Sequence, residues 1–149
     1  MPVEKWKIGG ANTQILTTEL NSLANNTNAL QSGTFANTQG AAGDGYTLCD
    51  VELVCSFGTA PTANTGLVVW LLSTIDGATF EDGSSSVTPG RSPDCVFPLR
   101  AVTGAQRIVR RVLLPWGTLK ALLRNDGTGQ ALAASGNTLT LRPVTREGV

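Results

Sequence analysis

Polar and apolar residues alternate along residues 46–57, and this period of two predicts a β-strand with one buried face. One face would carry Thr47, Cys49, Val51, Leu53, Cys55 and Phe57, and the other Tyr46, Asp50, Glu52 and Ser56. A strand with one apolar and one polar face is typical of an antiparallel sheet that covers a core on one side only.

Four further segments have strand patterns. Residues 67–73 consist of six successive apolar residues followed by Ser73, which predicts a strand covered on both faces. Residues 106–114 and 118–124 predict two strands joined by a short turn, and residues 138–145 predict a final strand. Pro143 in that last strand indicates an edge position, because proline cannot donate a ladder hydrogen bond.

Asp-Gly pairs separate these strands and predict tight turns. The pairs are Asp44–Gly45, Asp76–Gly77, Asp82–Gly83 and Asp126–Gly127. Short strands with such turns between them predict a β-sandwich or barrel, and about eight strands with long crossing loops favour a jelly roll or a related Greek key. The polar segment 74–94 is long for a loop in one domain, and such loops are usually functional or mobile.

The first 33 residues have a different character. Residues 1–16 show no period and predict an extended arm, whose Trp6 and Ile8 must dock on the same chain or on a neighbouring subunit. Residues 17–31 predict one short α-helix. We therefore expect an arm and helix over residues 1–33, followed by a β-sandwich over residues 34–149.

The predicted helix has an apolar stripe. Its members recur at 4-3-4-3 spacing and are Leu16, Leu20, Leu23, Thr27 and Leu30. The stripe would bury against the sheet or form a helix–helix contact between subunits.

Charge is sparse and unevenly distributed. Charged residues make up 15% of the 149 residues and the net charge is zero, so no global charge favours nucleic acid or a membrane. Between Asp94 and Asp126, however, all the charged residues are basic: Arg100, Arg107, Arg110, Arg111, Lys120 and Arg124. Three interpretations are open: a solvated strand face balanced by acids elsewhere, a strip that faces a protein partner, or a nucleic-acid site. The last is the weakest, because stacking aromatics are scarce.

The sequence offers little catalytic chemistry. It contains no histidine, which removes the usual general base at neutral pH and the commonest metal ligand. Cys49 and Cys55 lie six residues apart in one strand, so roughly 20 Å separates them, too far for a disulfide or a shared metal ion. We expect three reduced, buried thiols in a reducing compartment. No enzyme activity, cofactor, metal or small-molecule substrate is predicted.

Four carboxylates accompany the long loop: Asp76, Glu81, Asp82 and Asp94. We interpret them as turn residues; a Ca²⁺ or sugar site is a second interpretation, and catalysis the least favoured. The N-terminus has no apolar signal region, and no apolar run approaches the ~20 residues of a membrane span. The prediction is a soluble protein without a membrane partner.

Two parts of the sequence resemble small virion proteins of tailed bacteriophages, of the capsid-decoration or cement type. They are the Asn/Thr-rich start TTELNSLANNTNAL and the later DGATFEDGSSSVTPGRSPDCVFPLR with RVLLPWGTLKALLRNDGTGQALAASGNTLTLRP. The resemblance implies a jelly-roll-like module on the capsid surface, made in the bacterial cytoplasm. It implies the major capsid protein as partner, and a homodimer or homotrimer. It carries over no individual residue.

Candidate partner-contacting residues come instead from the arm, the stripe and the basic strip. They are Trp6, Ile8, Leu16, Leu20, Leu23, Arg107, Arg110, Arg111 and Trp116. Two rival functions stay open: a tail, baseplate or fibre module, and a carbohydrate-binding sandwich that uses the 74–94 loop.

Overall fold

The structure, a computed structural model, describes residues 3–37 and 45–148, without the side chains of residues 7, 8 and 147. The described chain forms ten strands: β1 Glu4–Ile8, β2 Thr13–Leu16, β3 Asn28–Leu30, β4 Phe35–Asn37, β5 Leu48–Cys55, β6 Gly66–Ser73, β7 Cys95–Pro98, β8 Gln106–Leu113, β9 Gly117–Asp126 and β10 Thr138–Gly148. In these residues the helical content is a single 3₁₀ turn, Thr18–Leu20.

The strands form two antiparallel sheets. Sheet A has the order β1-β10-β5-β8, and β2 joins β10 on the same side as β1. Sheet B has the order β3-β9-β6-β7, and β4 joins β9 beside β3. With β1/β2 and β3/β4 each taken as one broken strand, the chain visits the sheets in the order of a jelly roll. The predicted fold class, a mostly β sandwich of the jelly-roll type, is confirmed.

The core lies between the inner faces of the two sheets. Alternate residues of β5 point into it, from Cys49 to Cys55, and all of them are fully buried. The predicted alternation is therefore confirmed from Cys49 to Phe57, whereas Thr47, which was predicted on the buried face, is exposed. Leu139 and Leu141 of β10 lie on the same side of the core, and leucines of β6 and β9 fill the opposite side together with Phe97 of β7. Burying one such leucine contributes about 1.5–3 kcal/mol relative to an exposed one.

The apolar run of β6 is covered on both faces, as predicted. Its outward residues, Val68, Trp70 and Leu72, form a second apolar cluster outside sheet B. The 74–94 loop folds over this cluster: the Trp70 indole Nε1 donates a hydrogen bond to the carbonyl of Arg91 at 3.0 Å. The long loop thus serves as the lid of one sheet.

The predicted helix over residues 17–31 is wrong. After the 3₁₀ turn, Ser22 and Asn26 have φ values of 58° and 60°, which a right-handed helix does not allow. The segment then enters sheet B as β3. Of the stripe, Leu16, Leu20 and Leu23 are buried in the chain's own core, whereas Thr27 is exposed.

The predicted arm is also corrected. Residues 4–8 and 13–16 are strands of sheet A, and residues 28–30 belong to sheet B. Strands on both sides of residue 33 share the same two sheets, so the described residues show no boundary there. One sandwich includes both predicted parts.

The edge position predicted from Pro143 is wrong as well. Pro143 lies in β10, a central strand, opposite Cys49. Its carbonyl accepts a hydrogen bond from the Gly9 amide at 2.9 Å, at the point where the neighbour of β10 changes from β1 to β2. Proline is tolerated because its missing N–H faces this break in the pairing.

Three of the four predicted Asp-Gly turns lie in the described part, and Asp44 lies outside it. Gly77 and Gly127 have φ values of 79° and 69°, a left-handed conformation that favours glycine. The predicted turns at Asp76–Gly77 and Asp126–Gly127 are therefore confirmed, whereas Gly83 has a φ of 158° and its backbone is not a tight turn of this kind.

Candidate interaction surface

The two outer faces of the sandwich differ. The 74–94 loop covers much of the outer face of sheet B, where Val96 is still 47% exposed, whereas three large apolar side chains of sheet A, those of Trp6, Val109 and Leu113, are more than half exposed. We call the outer face of sheet A the open face. By strand register it carries Glu4, Trp6, Asp50, Glu52, Val54, Arg107, Val109, Arg111, Leu113, Thr138, Thr140, Arg142 and Arg146. Leu113 is 76% exposed and Val109 is 51% exposed.

Trp6 lies on the open face and is held there by arginines. It stands opposite Arg146 in the β1–β10 ladder. The guanidinium carbons of Arg111 and Arg146 lie 4.9 and 4.7 Å from its ring centroid, within the range of cation–π attraction. The side chain is nevertheless 52% exposed. Trp6 is therefore docked on its own sheet with half of its surface available.

Asp50 anchors two arginines at the centre of the open face. Its carboxylate accepts hydrogen bonds from Nε and Nη2 of Arg111 at 2.7 and 3.2 Å and from Nη2 of Arg142 at 2.7 Å. The hydrogen bonds from Arg111, followed by those from Arg142, lower the pKa of Asp50 despite its burial. The Asp50 side chain is 10% exposed, against 46% and 39% for the two arginines. The negative charge of Asp50 is therefore more deeply buried than the positive charges of Arg111 and Arg142, which lie nearer to solvent.

Two further ion pairs extend this arrangement. Arg107 pairs with Glu52 at 3.2 Å and Arg146 pairs with Glu4 at 3.4 Å. The open face thus holds four arginines against three carboxylates. Two of those carboxylates, Asp50 and Glu52, are less exposed than their arginine partners. Around Asp50 and Glu52 the surface that reaches solvent is therefore positive, whereas at the β1 edge Glu4 is 71% exposed beside Arg146 at 63%.

A small depression lies in the middle of the open face. Its lining is mostly polar and consists of Asn12, Asp50, Glu52, Val109, Thr140 and Arg142. Val109 supplies an apolar wall, and the charged groups around it can donate or accept hydrogen bonds. The depression is the size of one side chain rather than of a cofactor.

The predicted basic strip does not form one surface. Arg107 and Arg111 lie on the open face. Arg110 points to the inner side of edge strand β8 and donates to the Val96 carbonyl at 3.3 Å, across to sheet B. Arg124 lies on β9 and pairs with Asp126 at 3.0 Å. The ion pairs of Arg107 and Arg111 with acids of β5 support the interpretation of a face balanced by acids elsewhere.

The remaining predicted contact residues separate into two groups. Trp116, in the turn between β8 and β9, is 69% exposed and remains a surface candidate. Leu16, Leu20 and Leu23 are buried in the chain's own core and are not available to a partner. Their prediction as contacts was wrong because the stripe serves the sandwich itself. The side chain of Ile8 lies outside the described part.

Sequence reasoning missed several residues of the open face. Val109 and Leu113 alternate with the arginines in β8, and this period of two was a usable signal. Arg142 and Arg146 follow the same alternation in β10. Their association with Asp50 and Trp6 depends on strand pairing between residues about 90 and 140 positions apart, which spacing within one strand does not reveal.

The loop carboxylates make structural contacts. Arg91 bonds Glu81 at 2.9 and 3.0 Å, Asp94 at 3.0 and 3.1 Å, and the Leu71 carbonyl at 3.0 Å. Asp76 accepts bonds from the amides of Ala78 and Thr79. These contacts support the interpretation as turn residues. In residues 3–37 and 45–148, no group of three acidic or cysteine side chains could hold a metal ion.

All three cysteines are buried as thiols, as predicted. Burial raises the pKa of Cys49 and Cys95 to about 12 and that of Cys55 to about 11. At neutral pH these thiols are protonated and act as small apolar groups of the core.

No protein-family model matches the chain, and no curated protein matches it either. Within the residues described, no helix is long and apolar enough to cross a membrane.

Proposed function

We propose that this chain is a structural protein of a bacteriophage virion that binds the capsid shell and stabilises it. The observation that carries the proposal is the asymmetry of the sandwich. The 74–94 loop covers much of the outer face of sheet B. The outer face of sheet A has exposed apolar and arginine side chains. The resemblance of the sequence to capsid-decoration proteins supports the same role.

The chemistry of the open face suits protein contact. Protein interfaces are enriched in tryptophan and arginine, and a few such residues supply most of the binding energy. The open face offers Trp6 beside Arg111 and Arg146, with Leu113 exposed on the same sheet. A flat sheet surface can cover a large area of a shell, where an interface of about 1,600 Å² is of ordinary size.

The rival functions differ in what supports them. A tail or baseplate module would use the same kind of face. The capsid-decoration role and the tail role therefore differ only in where the protein is located in the virion. The sugar-binding rival has less support, because the 74–94 loop that it would use packs on sheet B. At Trp6, a guanidinium already lies over the ring that a sugar would stack on.

Co-sedimentation tests the proposal. Heads of the phage that encodes the chain, prepared without it, are mixed with the purified protein and pelleted. We expect saturable binding with a copy number in a fixed ratio to the capsid protein. A few copies per particle, or binding to isolated tails alone, would contradict capsid decoration and favour the tail module.

A further inference from the structure

We infer that the open face is the surface that contacts the shell and that the patch it contacts is acidic. This inference rests on the proposed function and deepens it by naming the surface and the chemistry of the partner. Three features of the open face carry it: its outward positive charge, its anchored tryptophan and the protected edge of sheet A.

The charge of the face selects a carboxylate-bearing partner. Asp50 and Glu52 lie beneath Arg107, Arg111 and Arg142, so a partner meets guanidinium groups first. Arg142 bonds Asp50 through Nη2, and its side chain is 39% exposed. Arginine donates to carboxylates through paired N–H groups. An acidic patch would therefore find donors already oriented by the Asp50 carboxylate.

Trp6 can act as a binding anchor whose side chain loses little conformational entropy on association. Its ring is already placed by Arg111 and Arg146 in the isolated chain. A side chain fixed before binding loses less conformational entropy on association. Half-exposed aromatics beside arginine are the residue types that dominate interface energies. The depression next to Val109 adds a socket for one partner side chain.

Two other occupants fit the face less well. A second copy docked face to face would bring arginines against arginines, and like charges across an interface disfavour association. A strand added to the edge at β8 would meet Arg110, which points inward to the Val96 carbonyl. Inward-pointing charge on an edge strand is a device that discourages strand addition.

The test uses two charge variants of Leu113 and one control variant, in which a charge is placed on the 74–94 loop instead. Leu113→Asp puts a negative charge on the open face, Leu113→Lys puts a positive charge at the same place, and Ile75→Asp puts a negative charge on the exposed 74–94 loop. Both positions are highly exposed, so we expect unchanged melting temperatures. Binding to the purified heads is measured by co-sedimentation at two salt concentrations.

We expect Leu113→Asp to weaken head binding at least about tenfold. Leu113→Lys should weaken it clearly less, and Ile75→Asp should leave it unchanged. Trp6→Ala should also lose about tenfold or more. Higher salt should weaken the binding of the unmodified protein, because the attraction is ionic.

The outcomes separate the two proposals. If the unmodified protein does not bind heads, the proposed function fails and this inference fails with it. If it binds and Leu113→Asp behaves like Ile75→Asp, the function stands and the open face is wrong. Equal losses for Leu113→Asp and Leu113→Lys would overturn the acidic partner. A dimer of the unmodified protein in sedimentation velocity that Leu113→Asp dissociates would assign the face to a second copy.

Discussion

Asp50 is the carboxylate on which the central arginines of the open face depend, so its replacement tests the physical account of that face. The variant Asp50→Ala removes an acceptor of three hydrogen bonds, two from Arg111 and one from Arg142. The backbone pairing of β5 with β8 and β10 stays intact. Only the hydrogen bonds and ion pairs of the Asp50 carboxylate with Arg111 and Arg142 are lost.

The expected cost follows from the geometry. Hydrogen bonds to charged groups contribute about 1.5–3 kcal/mol each when they are well shielded. Both arginines are more than one third exposed, so water replaces most of each lost bond and the contribution falls toward that of a surface pair. We expect Asp50→Ala to lower the free energy of unfolding by about 1–3 kcal/mol.

Glu52→Ala is the matched control on the same strand and the same face. Its arginine partner, Arg107, is 69% exposed, so this variant should cost less than about 1 kcal/mol. Urea unfolding followed by tryptophan fluorescence measures both. Equal costs for Asp50→Ala and Glu52→Ala would refute the reasoning that a buried carboxylate organises the face.

The pH dependence gives a second readout of the same group. The pKa of Asp50 is lowered in the folded state, so its contribution is fully present above the unfolded pKa of about 3.9 and is lost as the pH falls through the folded value. The stability difference between the unmodified protein and Asp50→Asn should therefore be constant near neutral pH and shrink below about pH 4. A difference that grows on acidification would contradict the assignment.

Three further outcomes test the core. Leu20→Ala should lower the free energy of unfolding by about 2–5 kcal/mol because Leu20 is fully buried. Val109→Ala, at an exposed position, should change it by no more than about 0.5 kcal/mol. Urea unfolding measures both, and equal losses would contradict the assignment of Leu20 to the core. Gly66→Ala should destabilise the protein in the same assay, since a Cβ there would lie 2.9 Å from the Phe97 carbonyl oxygen, whereas Gly90→Ala meets nothing within 4 Å. The three cysteines should react with a thiol reagent at pH 8 only after urea is added, because they are buried; fast reaction of the folded protein would oppose this.

The strands were predictable because apolar and polar residues alternate in the sequence with the same period of two as buried and exposed residues in the structure. The run from Cys49 to Cys55 shows every second residue fully buried. The jelly roll could be named as a class from strand number and turns. The neighbour relations within each sheet could not, because they join residues far apart in the chain.

The helix was mispredicted for a specific physical reason. Leu16, Leu20 and Leu23 recur at helical spacing, but each is buried through a different local structure. Ser22 and Asn26 adopt left-handed conformations, which asparagine accepts more readily than most residues. The side chain of Asn26 then accepts a hydrogen bond from the Gly127 amide at 2.9 Å, a distant contact that local spacing does not encode.

The candidate surface was partly predictable. Trp6, Arg107, Arg111 and Trp116 stand exposed or half-exposed, as candidates for contact must. The grouping of Trp6 and Arg111 near Asp50 depends on strand register. In a sheet, a shift by one residue would move every one of these side chains to the other face.

Electron cryo-microscopy of phage heads saturated with the protein would show which surface of the sandwich contacts the shell. We expect ordered density for the sandwich at fixed positions on the shell. The open face, with Asp50 near its centre and Trp6 on the edge strand β1, should point toward acidic residues of the capsid protein, and the 74–94 loop should face outward. Heads without added density would contradict the proposed function. Density with the 74–94 loop against the shell would contradict the assignment of the open face.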